Sequence, residues 1–246
     1  MIERFLKSVT RFFDKKRDKQ RNLEPHFDRI EMKMALDPLI DGLVGDLRPT
    51  KPMKNWFAWV LAAISFAAIS IWVVIYYGLR DDFDQAWLAG TILWKNGSLL
   101  LGSMSALAAT IGLSRPDTKP HKILAALVVF IFAIIFWQLY ELSTSSSLFY
   151  EMVHVNFGGA GVCIPVIVVG GLIVFSIIWQ LWLKKSASQH PQELGAAAGL
   201  LSALLAASAY AFHCNMDNIF YFLFVYCFPI IGFGVFGYLI GDKLKW

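Results

Sequence analysis

The chain has 246 residues, 57% of them hydrophobic and only 16% charged, with a mean hydropathy of +0.55. Average globular chains are roughly 45–50% apolar and about 25% charged. Apolar runs of about twenty residues recur, each long enough to cross a hydrocarbon core, so a soluble enzyme domain, a disordered regulator and a secreted disulfide scaffold are excluded. The formal net charge is +4, but the basic residues gather before the first apolar run and in every second connection. That distribution is a topology signal rather than a nucleic-acid footprint, and no direct nucleic-acid contact is expected. The N-terminus, MIERFLKSVTRFFDKKR, lacks the apolar core and small-residue cleavage site of a secretory signal peptide.

Residues 1–35 form a basic extension. Ile2, Phe5, Leu6, Val9, Phe12 and Phe13 fall at helical spacing between Arg4, Lys7, Arg11 and Lys15. An amphipathic helix of this kind suits an anionic lipid surface; the alternative is a solvated arm. Residues 36–55 read differently. Leu36, Leu39, Ile40, Leu43, Val44 and Leu47 follow the i, i+3, i+4, i+7, i+8, i+11 pattern of one apolar helical stripe. Asp37 and Pro38 suit the N-cap and first helical position, and Arg48-Pro49 ends the run. Asp41 and Asp46 make the polar face acidic. Anionic lipid repels such a face, so the stripe is expected to bind a protein partner, with docking on the chain's own loops as the alternative.

Six transmembrane helices are predicted within residues 56–246, at 56–79, 92–113, 123–141, 162–183, 195–212 and 219–240. The fold class is therefore all-α: a polytopic membrane helix bundle with a cytoplasmic N-terminal arm. Backbone groups in lipid must bond internally, which favours helices. Twenty Lys and Arg residues fall on the side of the N-terminus, and only Arg80 and Lys95 on the other. The positive-inside rule then makes both termini cytoplasmic in a bacterial inner membrane. Lys95 is expected to snorkel to the outer headgroups, a buried functional lysine being the alternative. Gly195-Ala-Ala-Ala-Gly199 and Gly237-Tyr-Leu-Ile-Gly241 predict a tight hairpin of helices five and six. Pro165 and Pro229 are expected to kink spans four and six.

Several stretches together resemble the NrsF-type family, six-span bacterial inner-membrane proteins described as negative regulators of an extracytoplasmic-function sigma factor. They are Leu39-Ile40-Asp41 and Asp46-Leu47-Arg48-Pro49 before a Trp-rich first span, Leu93-Trp94-Lys95, and Leu113-Ser114-Arg115-Pro116. Cys163 after a glycine cluster, His213-Cys214, and Pro229 before a basic Trp-terminated tail complete the set. The likeness runs over about residues 36–246; the extension 1–35 and the pair Tyr226-Cys227 depart from it. It implies an anti-sigma factor whose arm, through Leu36, Leu39, Ile40, Asp41, Leu43, Val44 and Leu47, holds a sigma factor at the membrane.

The predicted topology puts Cys163 and Cys214 at the outer face, with His154, His213 and Asp217 in the same layer. The two cysteines are the sensor candidates. They could act as a redox switch or a soft-metal site; a static disulfide and two unpaired core residues are the alternatives. Cys227 sits mid-span and reads as packing. The resemblance favours a membrane anti-sigma factor released by an envelope signal. Two other readings stand beside it. A membrane thiol oxidoreductase is weakened by the lack of a C-x-x-C pair, and a small transporter by the scarcity of acids within spans. No enzyme, catalytic residue, cofactor or assigned metal is expected. The expected partners are an extracytoplasmic-function sigma factor and membrane lipid, and a homo-oligomer is left open.

Overall fold

The computed structural model describes residues 55–115, 155–186 and 188–244, together with scattered positions between 122 and 140. The basic extension and the 36–47 stripe lie outside the described residues. Every regular element among the described residues is helical. Helix α1 spans Asn55–Tyr77, a short α2 Phe83–Leu88, α3 Thr91–Leu113, α4 Ala160–Leu181 and α5 Pro191–Tyr210. Helix α6 runs over Ile219–Leu244, with a π-helical turn at Phe222–Tyr226. Five of these helices are long and apolar enough to cross a membrane. The third predicted span, 123–141, lies largely outside the described residues; Lys122, Ala126, Val129, Phe132, Ala133, Phe136 and Tyr140 are helical and exposed.

The apolar pattern explains how the helices sit. In α1, Ala58, Leu61, Ala62, Ser65, Ile69 and Val73 form one buried stripe. The opposite side exposes Trp56, Trp59, Ile64, Ile71, Trp72 and Ile75, a surface too large and apolar to face water. Helix α5 is the centre of the bundle. It packs on α1, α3, α4 and α6, and 83% of its span is buried, against 33–50% for the others. Its run GAAAGLLSALLAASA is rich in small side chains, which let four helices approach one axis. Ser202 and Ser208 turn their hydroxyls back to the carbonyls of Ala198 and Leu204, both at 2.7 Å, so the buried polar atoms are satisfied.

The glycine hairpin forms as expected. A Cβ at Gly195 would meet the Gly237 carbonyl oxygen, and one at Gly199 the Phe233 carbonyl oxygen. One at Gly237 would meet the Gly195 oxygen, and one at Gly241 the Pro191 oxygen. The backbones of α5 and α6 therefore touch, which glycine alone permits. Pro229 follows the π-helical turn by three residues. Proline has no N–H to give the carbonyl four residues back, and a local change of helical pitch there is the expected adjustment.

Candidate functional site: a buried thiol pair

At the end of the bundle far from residue 55, α1 ends, α3 and α4 begin, α5 ends and α6 begins. Cys163 lies in the first turn of α4, its N–H donating to the Gly159 carbonyl at 3.0 Å. Cys214 lies just past α5, its N–H donating to the Tyr210 carbonyl at 3.2 Å. Both thiols are free and buried. Their sulfurs are 3.9 Å apart across 51 residues of sequence, so the two sensor candidates are brought together. Cys163 is held from two more sides: its S–H donates to the Tyr210 hydroxyl at 3.3 Å, and the Tyr221 hydroxyl lies at 2.9 Å. A Cβ at Gly159 would stand 2.9 Å from the Tyr221 oxygen, so that glycine clears the way for the tyrosine.

Beside the thiols lies a cavity of about 450 Å³, lined among others by Tyr77, Arg80, Cys163, His213 and Cys214. Of the three other residues expected in this layer, two are engaged by other partners. His213 Nδ1 lies 3.1 Å from the Gly78 carbonyl oxygen, and its ring packs between Tyr77 and Tyr210 at 5.4 and 5.7 Å. Asp217 is engaged by two cations. His154 lies outside the described residues. Among the described residues no three His, Cys, Asp or Glu side chains converge as a metal site would need.

Lys95 corrects the snorkelling expectation. It is 0% exposed. Its ammonium donates to the carbonyls of Cys214 at 3.0 Å and Met216 at 2.8 Å, and to Asp217 Oδ1 at 3.3 Å. It also stands 5.3 Å above the centre of the Tyr226 ring. Three oxygens and an aromatic face replace its water, so burial is tolerated. The loop residue Arg80 is buried as well. Its Nε and Nη2 donate to Asp82 at 2.7 and 2.9 Å, and Nη2 and Nη1 to Asp217 at 2.7 and 3.2 Å.

The charges follow from these contacts. The Asp82 hydrogen bond holds the Arg80 guanidinium above its ordinary value against the opposing effect of burial. The Arg80 hydrogen bond holds the Asp82 carboxyl below the usual carboxylate range. The Cys214 thiol is pulled below the ordinary thiol range, first by its hydrogen bond with Cys163, with the Lys95 charge working against burial in the same direction. Cys214 is thereby the more readily deprotonated of the two thiols.

Sequence reasoning missed Lys95, Arg80, Tyr210 and Tyr221 as members of this cluster. The available signal was that Arg80 and Lys95 are the two basic residues standing alone on their side of the predicted topology.

A family model described as "NrsF: Negative regulator of sigma F" matches residues 43–246. No curated protein and no solved structure matches the chain.

Proposed function

The chain belongs to the NrsF family, the negative regulators of sigma F, and on that premise we propose that it holds a sigma factor at the bacterial inner membrane and releases it on an envelope signal. The family description makes a sigma factor the regulated partner. The extracytoplasmic-function class, sequestration through the arm, and release are this reading's own steps. The arm would bind through Leu36, Leu39, Ile40, Asp41, Leu43, Val44 and Leu47, a stripe that straddles the start of the family match at residue 43. The thiol pair would receive the signal, as an oxidant or a soft metal, at the end of the bundle far from residue 55.

The observation that carries the reading is the 3.9 Å separation of Cys163 and Cys214 in a chain of this family. Two free thiols, one in α4 and one in the loop after α5, next to a cavity, can change state where a lone buried thiol would only fill space. Two experiments test it. Leu39→Asp with Leu43→Asp places two charges in a stripe where each buried leucine is worth about 1.5–3 kcal/mol. Co-purification of the cognate sigma factor should be lost while membrane insertion is kept; unchanged co-purification would defeat the arm assignment. Cys163→Ser, Cys214→Ser and the double variant should share one altered response of sigma-dependent transcription to oxidant or cadmium. Three variants that respond like the parent would leave the cysteines as bystanders.

A further inference from the structure

Asp217 joins two parts of the molecule that the anti-sigma reading leaves unconnected: the thiol pair and the first helix. Arg80 lies three residues beyond the end of α1, and its side chain is 2% exposed. It reaches Asp217 through two hydrogen bonds, and Lys95 reaches the same carboxylate from the start of α3. Two further bonds fasten the same loops. The Arg80 N–H donates to the Phe212 carbonyl at 3.3 Å, and His213 Nδ1 stands 3.1 Å from the Gly78 oxygen. Gly78 itself turns the chain out of α1 with φ +81°, a conformation that favours glycine. The segment from Phe212 to Asp217 is thus tied to the exit of α1 and the start of α3, with Cys214 in its middle.

The two thiols differ in freedom. Cys163 is built into α4 and gripped by Tyr210 and Tyr221. Cys214 lies in a loop, and its carbonyl rests on Lys95. A sulfur–sulfur bond is about 2.05 Å long, so closing a gap of 3.9 Å falls on Cys214 and its loop. Among the five described spanning helices α1 is the least buried, at 33% of its span, and so the least restrained against a shift.

We propose that Asp217 is a latch: by holding Arg80 and Lys95 on one carboxylate, it makes a change in the Cys163–Cys214 spacing move the exit of α1. Coupling needs two states with different contacts. In one, Arg80 is shared between Asp217 and Asp82; in the other, Asp82 holds it alone through the two bonds it already makes. The guanidinium is neutralised in both, so neither state leaves a buried cation unpaired. Asp217 is a positioning residue in this scheme. The inference rests on the anti-sigma reading for one consequence only, that a moved α1 alters the arm continuous with it.

The test reads α1 directly, in the full chain in membrane vesicles. Trp56, at the other end of α1 and exposed, is replaced by cysteine, and its maleimide labelling rate is followed by site-resolved mass spectrometry. Diamide, a two-electron oxidant, takes up the protons and electrons of both thiols as the Cys163–Cys214 disulfide forms. In the parent and in Asp217→Glu, oxidation should change the rate at position 56 several-fold. In Asp217→Asn the disulfide should form and the rate stay constant. Should Asp217→Asn fail to accumulate, Arg80→Gln breaks the same link and is read the same way. The latch is overturned if the asparagine variant follows the parent, if the oxidised parent shows no change at position 56, or if no disulfide forms in it. Sigma co-purification in the same samples separates the two claims. Movement of α1 with sigma retained would sink the anti-sigma reading and leave the latch standing.

Discussion

Lys95 shows how a single side chain is decided by its partners. In sequence it is one cation near the end of an apolar run, and such a lysine ordinarily stretches to the headgroups. The structure turns it inward because a loop 119 to 122 residues later presents two carbonyls and a carboxylate to it. No periodicity encodes that loop's position, so the site was only half legible. The pairing of Cys163 with Cys214 followed from topology, whereas the cation beside them did not. Lys95→Met should leave both carbonyls without their donor. Breaking a buried ion pair costs about 3–5 kcal/mol; Asp217 keeps Arg80 and is partly exposed, so the lower end is expected, read as a lower midpoint in thermal unfolding in detergent. Cys214 supplies a pH test. Its depressed value means that the thiolate persists below the ordinary thiol range near about 8.5. Iodoacetamide should therefore modify Cys214 in the folded protein at pH values where a free thiol reacts slowly. The Cys163 hydrogen bond is the first cause of that depression, so Cys163→Ala, which has no donor, should move the alkylation profile upward in pH. An unmoved profile would show that Cys163 does not set the thiolate. The linked stability has a definite sign. Because the folded value lies below the unfolded one, Cys214 contributes stability above the unfolded thiol range, and the contribution is lost as pH falls through the folded value.

At the scale of elements, the α5–α6 hairpin was the feature most open to reading from sequence. Two GxxxG runs place glycines at i and i+4, on one side of a helix, and close backbone approach is what such a side permits. The structure adds which glycine meets which carbonyl. Gly195 and Gly237 face each other's oxygens, so Gly195→Ala and Gly237→Ala each force the backbones apart. Overpacking of a tight contact costs typically about 1–3 kcal/mol, and each variant should lower the unfolding midpoint. Gly232 is the control: a Cβ there meets nothing within 4 Å, so Gly232→Ala should leave the midpoint unchanged or raise it. If Gly232→Ala and Gly195→Ala are equally harmful, the loss does not come from the crossing, since helix propensity alone favours alanine at both positions. The proline signals were less informative. Pro229 marked a disturbance in span six, but not that it takes the form of a π-helical turn at Phe222–Tyr226, within which Phe222 and Tyr226 stack at 5.5 Å.

For the whole molecule, hydropathy was enough to place five of the predicted spans on helices, because a run of about twenty apolar residues has few other solutions in lipid. It erred at edges. Span five begins at Pro191 rather than Gly195, since a proline at the first helical turn and a polar Gln192-Glu193 pair extend the helix beyond its apolar stretch. The direction of the bundle in the membrane rests on charge. In the predicted topology twenty basic residues fall on one side and two on the other, and those two, Arg80 and Lys95, are buried in ion pairs with Asp82 and Asp217. Neither therefore acts as a free interfacial charge, and the asymmetry from which the positive-inside rule predicts the orientation is stronger than the bare count. If the third predicted span crosses the membrane, the number of crossings is even, and both termini share the basic side. An alkaline phosphatase reporter, active only outside the cytoplasm, should be silent when fused after Trp246 and active when inserted after residue 147. It should also be active after Asp84, in the connection between α1 and α3. Activity after Trp246 together with silence after residue 147 would mean that segment 123–141 does not cross. That result would also contradict the placing of the starts of α3 and α4 at one end of the bundle, where Lys95 meets the loop after α5.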